Sequence, residues 1–203
     1  MPGDTGIFTV DELKRIFPAK IPGPWVNIHA YAVFLTAAVT GMRRSEILAL
    51  KWRHVNFTRS CIQVELAWKD RKKLGKPKWE KTRVSPLPDS LIPALLLIRG
   101  LQKEVYDEDL VFCYPDGKRL GGTWWQQHFR KGMDACSVDY ERRNLKPHSF
   151  RHTLNTLLRE RSYDADKIRA SMGWSSTDIQ DGYTHWNAGS FDGQLEIIDS
   201  IFN

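Results

Sequence analysis

The sequence predicts an α+β domain, mainly helical, with a small antiparallel β-sheet to one side. Three observations carry that expectation. Apolar residues recur at helical spacing, as in Tyr31, Phe34, Leu35 and Ala38 at i, i+3, i+4 and i+7. Strict alternation is confined to one place, where Ile62, Val64 and Leu66 interleave with Gln63, Glu65 and Ala67. The chain has 203 residues, of which 41% are hydrophobic and 27% charged, the balance of one globular domain with a substantial core.

Taken in order, Thr9 and Glu12 have the form of a capping box and open a short helix that ends near Phe17 and Pro18. Pro22, Gly23 and Pro24 break the chain before a long helical pattern from Trp25 to about Val39. Thr40 and Gly41 separate it from a second helix, Arg43 to Leu50. The alternating strand follows, and Arg83 to Leu87 is its expected partner across a basic turn. Beyond Pro88 the pattern is helical again over Leu91 to Gly100, Thr123 to about Cys136, Ser149 to Glu160 and Asp164 to Met172. Turns are expected at Pro115 to Gly117 and at Gly121 and Gly122. There is no internal repeat and no low-complexity tract.

Several functional classes are set aside by composition. No apolar run approaches the ~20 residues of a membrane helix, and the opening MPGDTG has neither a signal-peptide nor a transit-peptide pattern. A cytosolic, and so cytoplasmic, protein is expected. Cys61, Cys113 and Cys136 are scattered without CxxC spacing, which fits reduced structural thiols better than disulfides or a zinc site. No metal and no cofactor is expected. Thirty Lys plus Arg against 24 Asp plus Glu give a net charge of +6, which permits a polyanionic partner, and the segment Lys69 to Arg83 is dense in positive charge. That segment reads either as a solvated hairpin or as a nucleic-acid contact.

Four short segments carry the chemistry. In TGMRRSEILAL, Arg43 starts a helix and Glu46 lies at i+3, within reach of a supporting ion pair worth only about 0.2 to 0.5 kcal/mol if it is an ordinary surface pair. In PHSFRH, His148 and Arg151 share one side of a helix start, after a proline that helps fix where it begins. Both can reach a phosphate, and a helix N-terminus offers unpaired N–H groups to an anion. PKWEKTRVSPLP supplies hairpin lysines, and MGWSSTDIQDGYTHW places Trp174 nine residues before Tyr183. Taken singly, each has a bland structural reading.

Together and in this order they resemble the catalytic domain of the tyrosine recombinases, the phage integrase family. In that family an arginine follows Thr-Gly-x, a lysine lies in a β-hairpin, a His-x-x-Arg box comes later, and a Leu-Gly-His or Leu-Gly-Trp precedes the nucleophilic tyrosine by nine residues. The matching positions are Arg43, Lys78, His148, Arg151, Trp174 and Tyr183, over a region from Phe8 to about Trp186. The resemblance implies the tyrosine-recombinase catalytic fold and a site-specific recombinase or integrase that cleaves and rejoins double-stranded DNA through a covalent phosphotyrosyl intermediate, without metal or ATP. It also implies self-assembly on DNA as a tetrameric synapse, and a prokaryotic or phage-encoded mobile element as the setting.

The chemistry agrees with those residue types. A phosphodiester gains a second negative charge as a nucleophile adds, so cationic donors must bind the transition state more tightly than the ground state. Arg43 and Arg151 supply planar, bidentate, permanently charged donors. His148 can donate a hydrogen bond or accept the tyrosine proton. A tyrosine with a reference pKa near ~10 needs a cationic surround or a base to attack. The family gives the hairpin lysine the task of protonating the leaving sugar oxygen; Lys78 is the first choice and Lys81 the second. Trp174 stands where histidine is commoner; its indole donates one hydrogen bond and shuttles no proton. Arg44, Lys76 and Lys81 are expected DNA contacts, Glu46 a support for Arg43, and His152 and His185 structural.

Family members usually carry another helical domain ahead of this one. Here the motifs begin near residue 1, so the sequence is read as a single catalytic domain over 1–203 with the N-terminal core-binding domain absent, a fragment in preference to a minimal member. Weak, salt-sensitive DNA binding is the expected consequence. The tail 187–203 carries Phe191, Leu195, Ile198, Ile201 and Phe202 in a loose helical stripe. It packs either on its own domain or, as the family suggests, on a neighbouring subunit. Two other functions stay open: a type IB topoisomerase with the same chemistry, and a non-catalytic DNA-binding module of the same fold.

Overall fold

A computed structural model describes residues 6–70, 73–78, 82–173 and 188–202. Helix α1 (Val10–Ile16) starts at the expected capping box, in which the Thr9 hydroxyl accepts the Glu12 amide and the Glu12 carboxylate accepts the Thr9 amide. Helix α2 (Ile28–Thr40) begins where the Asn27 side chain accepts the Ala30 amide. From Ala30 to Thr40 every residue is buried. Such all-round burial marks a helix at the centre of a fold.

The rest is arranged around α2. Helices α3 (Arg44–Ile47), α4 (Ile92–Leu101), α5 (Gly122–Ala135) and α6 (Ser149–Glu160) all contact it. Aromatic rings fill the core where these helices meet. Phe150 of α6 stacks on Phe8 at 4.5 Å between centroids and also meets Phe17, Phe34 and Phe129. Burying rings of this size supplies much of a domain's stability.

The sheet is smaller than the alternation predicts. Strands β1 (Val55–Asn56), β2 (Cys61–Val64) and β5 (Arg83–Pro86) form an antiparallel sheet in that order. Val64 pairs with Arg83 at the end of the β2–β5 ladder, so Glu65 and Leu66 fall outside it. The chain then makes a separate two-stranded ribbon, β3 (Ala67–Trp68) with β4 (Leu74–Gly75). Trp68 explains the departure: its indole N–H donates to the Leu48 carbonyl at 2.8 Å, and the Arg119 guanidinium lies over its ring. These contacts pull the ribbon onto the helical body and out of register with β2.

The expected helix from Arg43 to Leu50 is likewise shorter. Only Arg44–Ile47 is α-helical, with Arg43 at its N-cap and Leu48 at its C-cap. Helix α7 (Ala165–Met172) is capped by the Asp164 side chain and ends at Gly173. The tail forms a 3-10 turn (Ala188–Phe191) and helix α8 (Asp192–Phe202). Helix α8 packs on α1, burying Ile198 and Ile201, and its Asp199 carboxylate accepts the Asp89 and Ser90 amides.

Candidate active site

Two arginines from distant parts of the sequence are each anchored on a carbonyl at a helix C-terminus. Helix α2 ends at Gly41 with φ of 61°, in the left-handed region where glycine carries no steric penalty. The Gly41 carbonyl accepts a hydrogen bond from Arg151 Nη1. Helix α7 ends the same way, at Gly173 with φ of 68°, and its carbonyl accepts from Arg43 Nη2 at 2.8 Å. Helix C-termini carry partial negative charge, which favours a cation at both places.

Arg43 has a second anchor. Its Nη1 donates to Glu46 Oε1 at 3.0 Å, and its backbone amide donates to Glu46 Oε2 at 2.8 Å. Glu46 is not half of the exposed pair that an i+3 spacing first suggests: its side chain is fully buried. Arg83 meets the same carboxylate with a fork, Nη1 to Oε1 at 3.1 Å and Nη2 to Oε2 at 2.7 Å. Four hydrogen bonds fill the carboxylate's acceptor sites. Burial alone would raise the Glu46 pKa, but the hydrogen bonds and charge of Arg83, with those of Arg43, hold it below the usual carboxylate range.

Arg151 is buried within the fold, 2% exposed, and its side chain reaches a pocket of about 250 Å³ that it shares with Arg44, Lys146, Pro147 and His148. Burial, and then the charges of Arg43 and Arg83, push its pKa down to about 9, so it stays cationic at neutral pH. His148 forms the start of α6 and is exposed at the pocket's mouth, its ring 4.8 Å from that of half-buried His152. Partial burial of the ring, then His152, Arg151 and Arg43, push its pKa down to about 4. Solvent softens the burial contribution at so exposed a residue, and the neighbouring arginines act in the same direction. His148 is therefore neutral at pH 7.

Of the predicted site residues, the structure brings together Arg43, Glu46, His148 and Arg151, with Arg44 on the pocket wall. Lys76 and Lys78 follow β4 and are exposed. Trp174, Tyr183, Lys81 and His185 lie outside the described residues. Sequence reasoning missed Arg83, Lys146 and the two glycine carbonyls. A signal for Arg83 exists in the strand register, because residues opposite one another in an antiparallel pair share a face. Arg83 sits opposite buried Val64, so its charge enters the interior and requires a partner there.

A model described as the Phage integrase family matches residues 7–189. The chain is 29% identical over 220 aligned residues to the tyrosine recombinase XerC-like of Caldanaerobacter subterraneus subsp. tengcongensis, covering 96% of this chain and 54% of that protein. It is 26% identical over 150 residues to tyrosine recombinase XerH of Helicobacter pylori, covering 73% and 38%. The chain thus spans about half the length, or less, of these curated relatives. Among solved structures it resembles XerA recombinase, with a TM-score of 0.69 and 23% identity over 98% of this chain and 66% of that one. It also resembles the Tn1549 transposon integrase in complex with circular intermediate DNA, with a TM-score of 0.69 and 19% identity over 85% and 59%. The fold is that of these catalytic domains.

Proposed function

The chain belongs to the phage integrase family, matched over residues 7–189, and from that membership we propose that it cleaves and rejoins DNA as the catalytic domain of a site-specific tyrosine recombinase. One observation carries the reading: two guanidiniums, Arg43 and Arg151, are anchored on helix-terminal carbonyls, with His148 beside them. An arginine so held presents its remaining donors without reorganising as charge builds on a phosphate.

In this reaction the Tyr183 hydroxyl gives its proton to a base, His148 or a water, and attacks phosphorus, the bond to the leaving sugar oxygen breaks, and that oxygen takes a proton from Lys78 or, failing that, Lys81. The energy of the broken linkage is kept in the phosphotyrosyl bond, and reversal of the same steps rejoins a strand. Arg43, Arg151 and His148 bind the non-bridging oxygens, and Trp174 adds an indole donor. Arg44, Lys76 and Lys81 contact the DNA backbone. Copies assemble on DNA, and α8 exchanges its seat on α1 for one on a neighbouring subunit. Truncation at Asn187 tests that exchange; unchanged DNA-dependent assembly would exclude it.

The central test uses nicked, labelled duplex carrying a candidate site. Incubation should give an SDS-stable protein–DNA adduct, and Tyr183→Phe should abolish it while DNA binding persists. Absence of an adduct on every DNA, the native site included, would favour a binding module instead. Relaxation of supercoils without strand exchange would favour a topoisomerase.

A further inference from the structure

Resting on the recombinase reading, we propose that Arg83 is a positioning residue: it locks the Glu46 carboxylate that aims Arg43, and ties that pair to the end of α7. Arg83 is in the wrong place to bind substrate itself. Its side chain is 9% exposed, and all three of its guanidinium nitrogens are engaged within the protein. Two donate to Glu46, and Nε donates to the Ser171 carbonyl at 2.9 Å.

The consequence lies in what those partners do. Without Arg83, Glu46 loses two of its four hydrogen bonds and keeps only those from the Arg43 amide and Nη1, so the carboxylate is held by the very residue it has to aim. With Arg83, both oxygens are fixed, so the Arg43 guanidinium is set by Glu46 on one side and Gly173 on the other. Gly173 lies against Arg83. A side-chain carbon there would lie 2.9 Å from Arg83 Cζ, so the bare glycine lets the last turn of α7 close on the guanidinium plane. Arg83 of β5 thus adds a hydrogen-bonded link to α3 through Glu46 and to α7 through the Ser171 carbonyl.

A planar fork is needed for this, and lysine cannot supply it. Displacing a catalytic group by about 1 Å costs roughly 10²-fold in rate.

The experiment measures adduct formation, DNA affinity and heat stability for the wild type, Arg83→Lys, Arg83→Met and the pair Arg83→Lys/Arg43→Ala. Side-chain nitrogen resonances of Arg43 in arginine-labelled protein are read on the same samples, without DNA. Arg83→Lys, which keeps the charge and guards against a merely unfolded Arg83→Met, should lower the adduct rate roughly 10-fold or more. DNA affinity should stay within about twofold, because Arg83 makes no phosphate contact. In the Arg43→Ala background the Arg83 change should cost nothing further, since it acts through Arg43. The Arg43 Nη signals, slowed by the clamp in the wild type, should broaden in Arg83→Lys. Unchanged adduct rate in a folded Arg83→Lys protein, losses that multiply with Arg43→Ala, or unaltered Arg43 signals would each overturn the proposal. If the wild type forms no adduct but the Arg43 signals still depend on Arg83, the clamp stands and the recombinase reading falls.

Discussion

Arg43 and Arg151 are anchored alike and sheltered differently. Each donates to the carbonyl of a left-handed glycine at a helix C-terminus, Gly173 for Arg43 and Gly41 for Arg151. Arg43 leaves a quarter of its side chain exposed and shares a buried carboxylate with Arg83, whereas Arg151 is 2% exposed within the helical core. One junction secures its cation by ion pairing, and the other holds it on the α2 end carbonyl despite the cost of burial. The difference separates what each residue gives to stability from what it gives to function.

The sharpest way to test that separation is to remove one group from each junction. Arg151→Met should lower the adduct rate about 10³-fold, as loss of a transition-state donor does. Its heat midpoint should hold or rise by ~2 to 4 °C, because burial and the charges of Arg43 and Arg83 work against this cation and methionine removes both penalties. Glu46→Ala should instead destabilise the protein by about 3 kcal/mol, since it leaves Arg43 and Arg83 facing each other with no carboxylate between them. The Glu46 pKa is depressed in the folded state, so its contribution is present above the unfolded value and is lost as pH falls through the folded one. Denaturant melts at pH 7 and at pH 3.5 should therefore differ less for Glu46→Ala than for the wild type. A destabilised Arg151→Met protein with an unaffected Glu46→Ala protein would invert the comparison.

The two glycines give a smaller effect. Gly41→Ala and Gly173→Ala should each cost about 1 to 2 kcal/mol for a side chain held at positive φ. Gly173→Ala should be the worse for adduct formation, because the added carbon meets the Arg83 guanidinium at 2.9 Å rather than the pliant end of Met172 at 3.0 Å. Melting curves and adduct rates on the same samples read both.

Smallest is a pH effect shared by the two junctions, since His148 feels Arg151, Arg43 and His152. Its folded pKa, about 4, lies below the unfolded ~6.5. Between those values the unfolded chain binds more protons, so stability falls as pH falls through that window. A DNA phosphate raises the pKa again, so affinity should rise by a few-fold from pH 7 to pH 5. His148→Gln should flatten both trends relative to the wild type, as melting and binding titrations would show.

Much of the fold was legible because local chemistry and tertiary packing agree. The Thr9 and Glu12 capping box starts α1 where the pattern places it, and Ser149–Glu160 forms α6 with the expected bounds. Where the reading failed, a long-range contact had overruled a local pattern. Trp68 reaches Leu48 and ends the alternating strand early, and Arg43 is drawn out of its helix to serve as the N-cap. Glu46 is the clearest case within the site. An i+3 spacing cannot tell an exposed pair from a buried one, because the burial comes from Arg83, 37 residues away.

By itself the sequence determined the types of residue available, their order, and most of the breaks between elements. Those follow from side-chain chemistry and steric limits that act over a few residues. Only the tertiary structure decided which charges face one another, because that depends on where α2, α3, α6, α7 and β5 end in space. The same +6 chain spreads lysines along an exposed ribbon and gathers three arginines around one buried carboxylate and two helix ends.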